Sequence, residues 1–210
     1  CFLPREDVRD AFVSLGAGGL GDLQHGAIVG TSSLRRRAQL LNRRPDLQVV
    51  EFRGNVQTRL RKLHEGVAQA TFLAMAGLNR LGLDDVPKVA IAPEDMLPAV
   101  AQGAIGIERR SDDSRVNEML KAIHDPQTGL RMAAERAFLA ALDGSCQTPI
   151  AALAELNGDR LRLRGEVLRT DGTRTVCDDQ SGMASDGAQI GQDMAERMLV
   201  EAGPGFFDWR

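Results

Sequence analysis

The stretch AIVGTSSLRRRAQLLNRRPDLQVVEF, residues 27–52, decides the predicted fold. The apolar run at 27–30 is typical of a short buried strand, and the hydroxyl residues that follow it are natural N-caps for an amphipathic helix. Pro45 stops this helix, and a second apolar run at 48–52 predicts the next strand. Strand, helix and strand with short links predict parallel strands joined by a right-handed crossover.

The same alternation continues along the chain. Gly54 and Asn55 open a second predicted helix, and the apolar run at 70–76 predicts a third strand. In such sheets, ligands bind beyond the carboxyl ends of the strands, where the helices begin. We therefore expect an anion-binding site where GTSSLRR (30–36) and FRGNVQTR (52–59) start their helices.

The pattern changes after the third predicted strand. Residues 87–103 are punctuated by proline and glycine, 103–110 are predicted to form a strand, and 112–124 a helix. A further helix is predicted to begin with Asp125 as its N-cap and Pro126 in its first turn. Its predicted buried face, which ends near Gly144, comprises Leu130, Ala134, Ala137, Phe138 and Ala141.

The C-terminal part of the chain predicts a small antiparallel α+β module. The pairs 157–158 (Asn-Gly) and 171–172 (Asp-Gly) are hairpin turn signals. Between them, residues 160–168 alternate between apolar and charged side chains, as expected of a strand with one buried face. A final helix is predicted at about 185–202.

Basic residues are concentrated in one segment. Residues 31–63 carry nine basic and two acidic side chains, although the whole chain has a formal charge of −3. This contrast predicts a local anionic partner. Neither GxxxxGK[ST] nor GxGxxG occurs, so no nucleotide phosphate is expected. Aromatic residues make up only 4% and tyrosine is absent, which favours a small polycarboxylate or oxyanion over nucleic acid.

Cysteine usage is sparse. Cys1, Cys146 and Cys177 are far apart and odd in number, which argues against a disulfide framework and fits a reducing compartment. The chain has no CxxC, HxxxH or HExxH pattern, so no metal site is expected. Cys146 lies in the loop DGSCQTPIA (143–151) and has no base nearby in sequence, which disfavours a hydrolytic nucleophile. Packing and attachment of a group both remain open.

Five long motifs occur in a fixed order along the chain. They are VGTSSLRRRAQL, FRGNVQTRLRKL, LAMAGLNRLGL, LPAVAQGAIGIE and AAERAFLAALDGSCQTPI. Together they resemble the porphobilinogen deaminases (hydroxymethylbilane synthases), and the resemblance runs from PREDVRDAFVS to the end of the chain. It implies a transferase of tetrapyrrole and haem biosynthesis, which joins four porphobilinogen molecules head to tail, releases ammonia at each step and yields hydroxymethylbilane.

The resemblance also implies a cofactor and a binding site. The family builds its product on a dipyrromethane cofactor, thioether-linked to a cysteine that corresponds to Cys146. Ser145 replaces the commoner glycine before that cysteine. Porphobilinogen and the growing polypyrrole chain carry acetate and propionate groups, and the backbone around 74–77 lines the family's cleft. The positions that match the family's carboxylate-binding residues are Thr31, Ser32, Ser33, Arg35, Arg36, Arg53, Asn55, Arg59 and Gln102.

The implied architecture is an α/β lobe like those of type II periplasmic binding proteins, with a parallel or mixed sheet. A small α+β domain with a three-stranded antiparallel sheet follows it. Residues 1–103 would form domain 2, 104–121 a returning segment of domain 1, and 122–210 domain 3 with the cofactor loop. The full-length enzyme is expected to be a cytoplasmic monomer with no membrane or nucleic-acid partner.

The family's N-terminal segment has no match in this chain, which begins at Cys1. In the family, that segment carries an HSMKD-type motif with the catalytic aspartate, and it would be the partner of residues 1–210. We therefore expect no catalytic residue within these residues, and we expect the chain alone to be inactive.

Two other functions stay open from the residues alone. The parallel half also fits a ligand-sensing module, although such a module does not need the LDGSCQTPI loop. The basic segment 31–63 also fits a nucleic-acid-binding surface, for which salt-sensitive oligonucleotide binding would be the test.

Overall fold

The computed structural model describes residues 1–207, which form an α/β lobe and a second, smaller α+β module. The lobe is built on a five-stranded sheet of order β3-β2-β4-β1-β5. Its strands are β1 (Asp10–Ser14), β2 (Ile28–Gly30), β3 (Gln48–Val50), β4 (Ala70–Ala74) and β5 (Lys88–Ala90). β2 runs parallel to β3 and β4, whereas β1 runs antiparallel to β4 and β5, so the sheet is mixed as expected.

Helices cover both faces of this sheet. They are α1 (Leu34–Arg43), α2 (Val56–His64) and α3 (Met75–Arg80). Successive side chains of a strand point to opposite faces, and in β1 Phe12 packs with Val29 and Leu40 on one face. Val13 packs with Leu63 on the other. The sheet is thereby fixed between two apolar layers, and the carboxyl ends of β2 and β3 lie at one edge.

Three parts of the lobe differ from the sequence expectation. β1 and β5 were not predicted, and the predicted strand at 70–76 ends at Ala74, where α3 begins. The strand predicted at 103–110 was wrong, because this segment makes only an isolated bridge between Gly106 and Phe2. A strand needs a partner along its length, whereas this segment makes only scattered backbone hydrogen bonds to residues 1–6.

The smaller module contains the predicted antiparallel sheet, of order β6-β7-β8. Its elements are α4 (Ser114–Lys121), α5 (Pro126–Ala141), β6 (Ile150–Asn157), β7 (Arg160–Leu168), β8 (Thr175–Met183) and α6 (Gly187–Ala202). α5 and α6 pack on one face of the sheet, around Phe138, Leu163 and Met194. The opposite face meets the lobe, where Ala151 and Leu153 contact Leu97.

The turn and cap predictions for this module are confirmed. Asp125 caps α5 by accepting a hydrogen bond from Thr128 N at 2.6 Å, and both hairpin turns place their glycine at positive φ. Leu130 was wrongly predicted to be buried, since it is 37% exposed. The buried stripe of α5 includes Ala134 and Phe138 as predicted, and Met132 and Glu135 in addition. No helix in residues 1–207 is long and apolar enough to cross a membrane.

Candidate functional site

The carboxyl ends of β2 and β3 are tied together, and this brings the starts of α1 and α2 to one place. Thr31 N donates to Val50 O at 3.0 Å, and Phe52 N donates to Ser32 Oγ at 2.9 Å. Gly30 permits the approach, because a Cβ there would lie 2.4 Å from the Phe52 ring. We call this place, with the side chains of residues 31–36 and 53–59, the anion edge.

The predicted hydroxyl and amide residues of the anion edge shape the helix starts. Ser33 caps α1 by accepting from Arg36 N at 3.4 Å, and Thr31 Oγ1 accepts from Ser33 N at 3.2 Å. Asn55 caps α2, since its Oδ1 accepts from Thr58 N at 2.9 Å. These side chains keep two helix N-termini, with their unpaired first-turn N–H groups, directed at the edge.

Arg35 and Arg36 lie beneath the anion edge in a buried ion-pair network. Arg36 Nη2 lies 2.7 Å from Asp10 Oδ1, and Arg35 Nη1 lies 2.8 Å from Asp10 Oδ2. The two arginines are 4% and 7% exposed, and Asp10 is fully buried. Burial alone would raise the pKa of Asp10, but Arg36 and Arg35 outweigh it and hold this pKa at about 2. The network therefore keeps the Asp10 carboxylate ionised between the two arginine side chains.

Gln102 joins this network from outside the sheet. Its Nε2 donates to Asp10 Oδ1 at 3.1 Å and to Val8 O at 2.7 Å. Its own carbonyl accepts from Arg5 Nε at 3.0 Å, and Arg5 forms a buried ion pair with Glu135 at 2.6 Å. The structure places Gln102 beside Arg35, and its predicted contact with a ligand stays a prediction.

A second contact fixes α1 against the segment that precedes Gln102. The side chain of Gln39 accepts from Leu97 N and donates to Leu97 O, both at 2.9 Å. Arg35 Nη1 also donates to Leu97 O, at 2.8 Å. Three hydrogen bonds between side chains of α1 and the backbone of Leu97 thus hold the helix against this segment.

Arg53 and Arg59 are the more accessible basic groups of the predicted set. The Arg53 side chain is 80% exposed and pairs with Glu51 at 2.7 Å. Arg59 is half-buried, and its Nε donates to Gly54 O at 2.9 Å. Burial, together with the nearby Arg36, lowers the pKa of Arg59. A carboxylate bound at Arg59 would offset both the burial of this charge and its repulsion by Arg36.

Cys146 lies in the other part of the predicted site, in the loop between α5 and β6. Its thiol is free and exposed. The loop is ordered by Thr148, whose Oγ1 accepts from Ser145 N at 2.9 Å and donates to Ser145 O at 2.7 Å. Asp143 adopts a positive φ of 54° to leave α5. An accessible thiol on a structured turn is suited to carry an attached group.

Sequence reasoning missed Asp10, on which the arginine network depends. The signal was present, because Asp10 is an acid directly followed by the apolar run Ala11–Val13, and an acid at a strand position needs a charged partner. All the predicted site residues follow β2 in the sequence, so they did not point to an acid that precedes it.

Two family models match the chain in succession. Residues 1–118 match "Porphobilinogen deaminase, dipyromethane cofactor binding domain", and residues 130–200 match "Porphobilinogen deaminase, C-terminal domain". The anion edge lies in the first match and Cys146 in the second. The position of each predicted site residue within the family's binding site stays a prediction, as do the proposed domain boundaries.

Curated relatives agree with these matches. The chain is 64% identical to the porphobilinogen deaminase of Paracoccus denitrificans over 209 residues, covering 100% of this chain and 67% of the relative. It is 53% identical to that of Nitrobacter winogradskyi over 98% of this chain and 65% of the relative. For the chloroplastic enzyme of Pisum sativum, the values are 52% identity, 99% of this chain and 58% of the relative.

The chain thus spans about two thirds of the length of these bacterial relatives. Among solved structures, a Salmonella typhimurium periplasmic binding protein with high arginine specificity matches with a TM-score of 0.36 and 15% identity. That match covers 59% of this chain and 56% of the other, and it is too weak to support a conclusion about fold.

Proposed function

Since the chain belongs to the porphobilinogen deaminase family, we propose that it supplies the primer attachment point and the carboxylate-binding surface of a hydroxymethylbilane synthase. The reaction is the stepwise head-to-tail condensation of four porphobilinogen molecules with release of ammonia. The observation that carries this proposal is the pairing of an exposed, ordered cysteine loop with two arginine-bearing helix starts in one family member.

In this proposal, the anion edge binds the acetate and propionate groups of the pyrroles. Arg53 and Arg59 contact carboxylates directly, because their side chains are accessible. Arg35 and Arg36 supply positive potential from below, since Asp10 neutralises only one of their two charges. The capped helix N-termini add N–H donors to the same surface. Such a surface orients each ring, so its main contribution is proximity of the reacting carbons.

Cys146 is the proposed attachment point of the dipyrromethane cofactor. Its Sγ forms a bond to the methylene carbon of a porphobilinogen-derived unit, the carbon–nitrogen bond of that unit breaks, and ammonia leaves. The attached cofactor supplies the free pyrrole carbon on which the chain is extended. Thr148 and Ser145 keep the loop ordered, so that the attached group starts from one position.

Intact mass spectrometry with peptide mapping tests the attachment. In the full-length enzyme, we expect an adduct of two pyrrole units on the peptide that contains Cys146, and we expect Cys146→Ser to lack it. Cys177→Ser is the matched control and should keep the adduct, because it removes another free thiol. An unmodified Cys146 in a preparation that turns over porphobilinogen would contradict the proposal.

Calorimetric titration with porphobilinogen tests the anion edge. Arg59→Gln should weaken binding by about tenfold, since it removes a charge-assisted hydrogen bond. Arg61→Gln is the control on the same helix, because Arg61 is 68% exposed and its ion pair is with Glu65. Equal affinities in the two variants would remove Arg59 from the proposed site.

Residues 1–210 alone are proposed to bind porphobilinogen without converting it. The resemblance assigns the catalytic aspartate to a motif that has no match in these residues. Incubation of the purified chain with porphobilinogen, followed by detection of hydroxymethylbilane, tests this directly. Sustained turnover would show that the catalytic acid lies within residues 1–210.

A further inference from the structure

A cavity of about 510 Å³ lies between the lobe and the antiparallel sheet, and its lining includes neither Cys146 nor the side chains of the anion edge. Residues 93–97 and the end of α1 form its lobe side, and β7 and β8 form the other. In β7 the side chains of Leu161, Leu163 and Val167 point into the core of the smaller module. Strand alternation therefore directs Glu166 to the opposite face, towards the lobe. The cavity is large enough for a small organic ligand.

Glu166 is a buried acid without a partner. It is 8% exposed, and within residues 1–207 its carboxylate makes no hydrogen bond and no ion pair. Burial raises the pKa of Glu166, while Arg43 and Arg35 act in the opposite direction. Buried carboxylates are normally hydrogen-bonded or paired, so an unpaired one that lines a cavity indicates a missing partner.

Arg43 is the complementary group on the lobe side. It is exposed, and its Nη2 donates a weak hydrogen bond to Glu94 O at 3.4 Å. Arg43 is near enough to act on Glu166 electrostatically, yet no ion pair joins the two side chains. Both side chains line the cavity, Arg43 from the lobe side and Glu166 from the sheet side.

The other charged groups that line the cavity already have partners. Arg164 bridges Glu94 and Glu155 at 2.8 and 2.9 Å. Asp178 pairs with Arg197, and Asp179 pairs with Arg162. Glu166 and Arg43 thus remain as one negative and one positive group without an ion-pair partner among the described lining residues.

This arrangement excludes several classes of ligand. A bare cation would be repelled by Arg43 and Arg164, and a bare anion by Glu166 and its acidic neighbours. Burial raises the pKa of Cys177 to about 11, so its thiol stays protonated at neutral pH. Within residues 1–207, no group of three or more His, Cys, Asp or Glu side chains could hold a metal ion.

We propose that this cavity binds a small free amino acid, whose ammonium group pairs with Glu166 and whose carboxylate pairs with Arg43. Such a molecule supplies both missing partners at once and leaves no net charge in a partly desolvated site. The site is independent of the proposed condensation reaction, since it uses neither the anion edge nor Cys146. It borders that region through Leu97, whose carbonyl accepts from Arg35.

Calorimetric titration with a series of amino acids of increasing charge separation tests this proposal. The probes are glycine, β-alanine, 4-aminobutanoate and 5-aminopentanoate, with butylamine and butanoate as singly charged controls. We expect saturable binding with a dissociation constant of about 1 mM for the best ligand. One amino acid of the series should bind most tightly, and neither singly charged control should bind. Glu166→Gln and Arg43→Gln should each weaken the best ligand by about tenfold.

Arg160→Gln is the matched control, because Arg160 is an exposed β7 residue that does not line the cavity. Its affinity should equal that of the parent chain, and circular dichroism should show that all three variants are folded. The best ligand should also raise the melting temperature of the parent by more than that of Glu166→Gln at the same ligand concentration. Absence of saturable binding, equal binding of a singly charged control, or full affinity in Glu166→Gln would each overturn the proposal.

Discussion

The anion edge and the Cys146 loop use their polar groups in opposite ways. At the anion edge, two arginines lie almost fully buried around one carboxylate, and hydroxyl side chains are used to tie strand ends and helix starts together. In the Cys146 loop, a single threonine orders the turn and the reactive group stays in solvent. The first region is rigid because a buried charge requires a fixed partner. The second region only has to present the Cys146 thiol in a defined direction.

The difference predicts that mutations will separate stability from attachment. Changes beneath the anion edge should act mainly on the free energy of unfolding. Changes in the loop should act mainly on the chemistry of Cys146.

The largest effect is expected for Asp10→Asn. This change leaves Arg35 and Arg36 buried without their carboxylate, and removing one partner of a buried ion pair costs about 3–5 kcal/mol. Urea unfolding followed by circular dichroism measures it. Asp46→Asn is the control, because the Asp46–Arg44 pair lies nearer the surface and should contribute little. Similar losses in both variants would contradict the assigned importance of the network.

Acid should remove part of the same stabilisation. The pKa of Asp10 is about 2 in the folded chain against 3.8 for a free side chain, so folding is favoured while Asp10 is ionised. This contribution is complete above about pH 4 and is lost as the pH falls towards 2; it amounts to about 2 kcal/mol. Unfolding at several pH values should show a steeper loss in the parent than in Asp10→Asn. Parallel profiles would mean that Asp10 is not the group responsible.

A smaller effect is expected for Thr148→Ala in the loop. Thr148 is 6% exposed, and the change removes its two hydrogen bonds to Ser145, at a cost of about 1–2 kcal/mol. Thr173→Ala provides the comparison, since Thr173 is exposed and bonds only within its own turn. Denaturant midpoints for the two variants should differ accordingly, and an unchanged midpoint for Thr148→Ala would show that the loop is ordered by other contacts.

The smallest effect on stability is expected for Cys146→Ser. The side chain is exposed, so its melting temperature should match that of the unmodified parent within error. The same variant should lose all attachment of pyrrole units, as measured by mass spectrometry. A large loss of stability without cofactor would indicate that Cys146 has a packing role instead.

The features predicted correctly from the sequence depend on local chemistry. Ser33 and Asn55 cap their helices as their positions suggested, because capping uses side chains and N–H groups only three residues apart. The two hairpin turns were recognisable for the same reason, since Asn-Gly and Asp-Gly fit the positive φ of the turn.

The features that were missed depend on long-range pairing. β1 enters the sheet antiparallel between β4 and β5, and nothing in its own sequence specifies those neighbours. The burial of Arg35 and Arg36, predicted as carboxylate-binding residues, was not foreseen either, because it depends on Asp10, a distant residue in sequence. The strand predicted at 103–110 failed for the converse reason, since its pattern was suitable but its partner was short.

The three hydrogen bonds at Leu97 have a consequence for exchange with deuterated solvent. Leu97 lies in no helix or strand, yet its N–H donates to Gln39 Oε1 and the residue is 8% exposed. Its amide should therefore exchange only when α1 separates from this segment, and it should be protected far longer than its loop neighbours. The exchange rate of one backbone amide would then report how often the lobe opens next to the cavity that Leu97 lines.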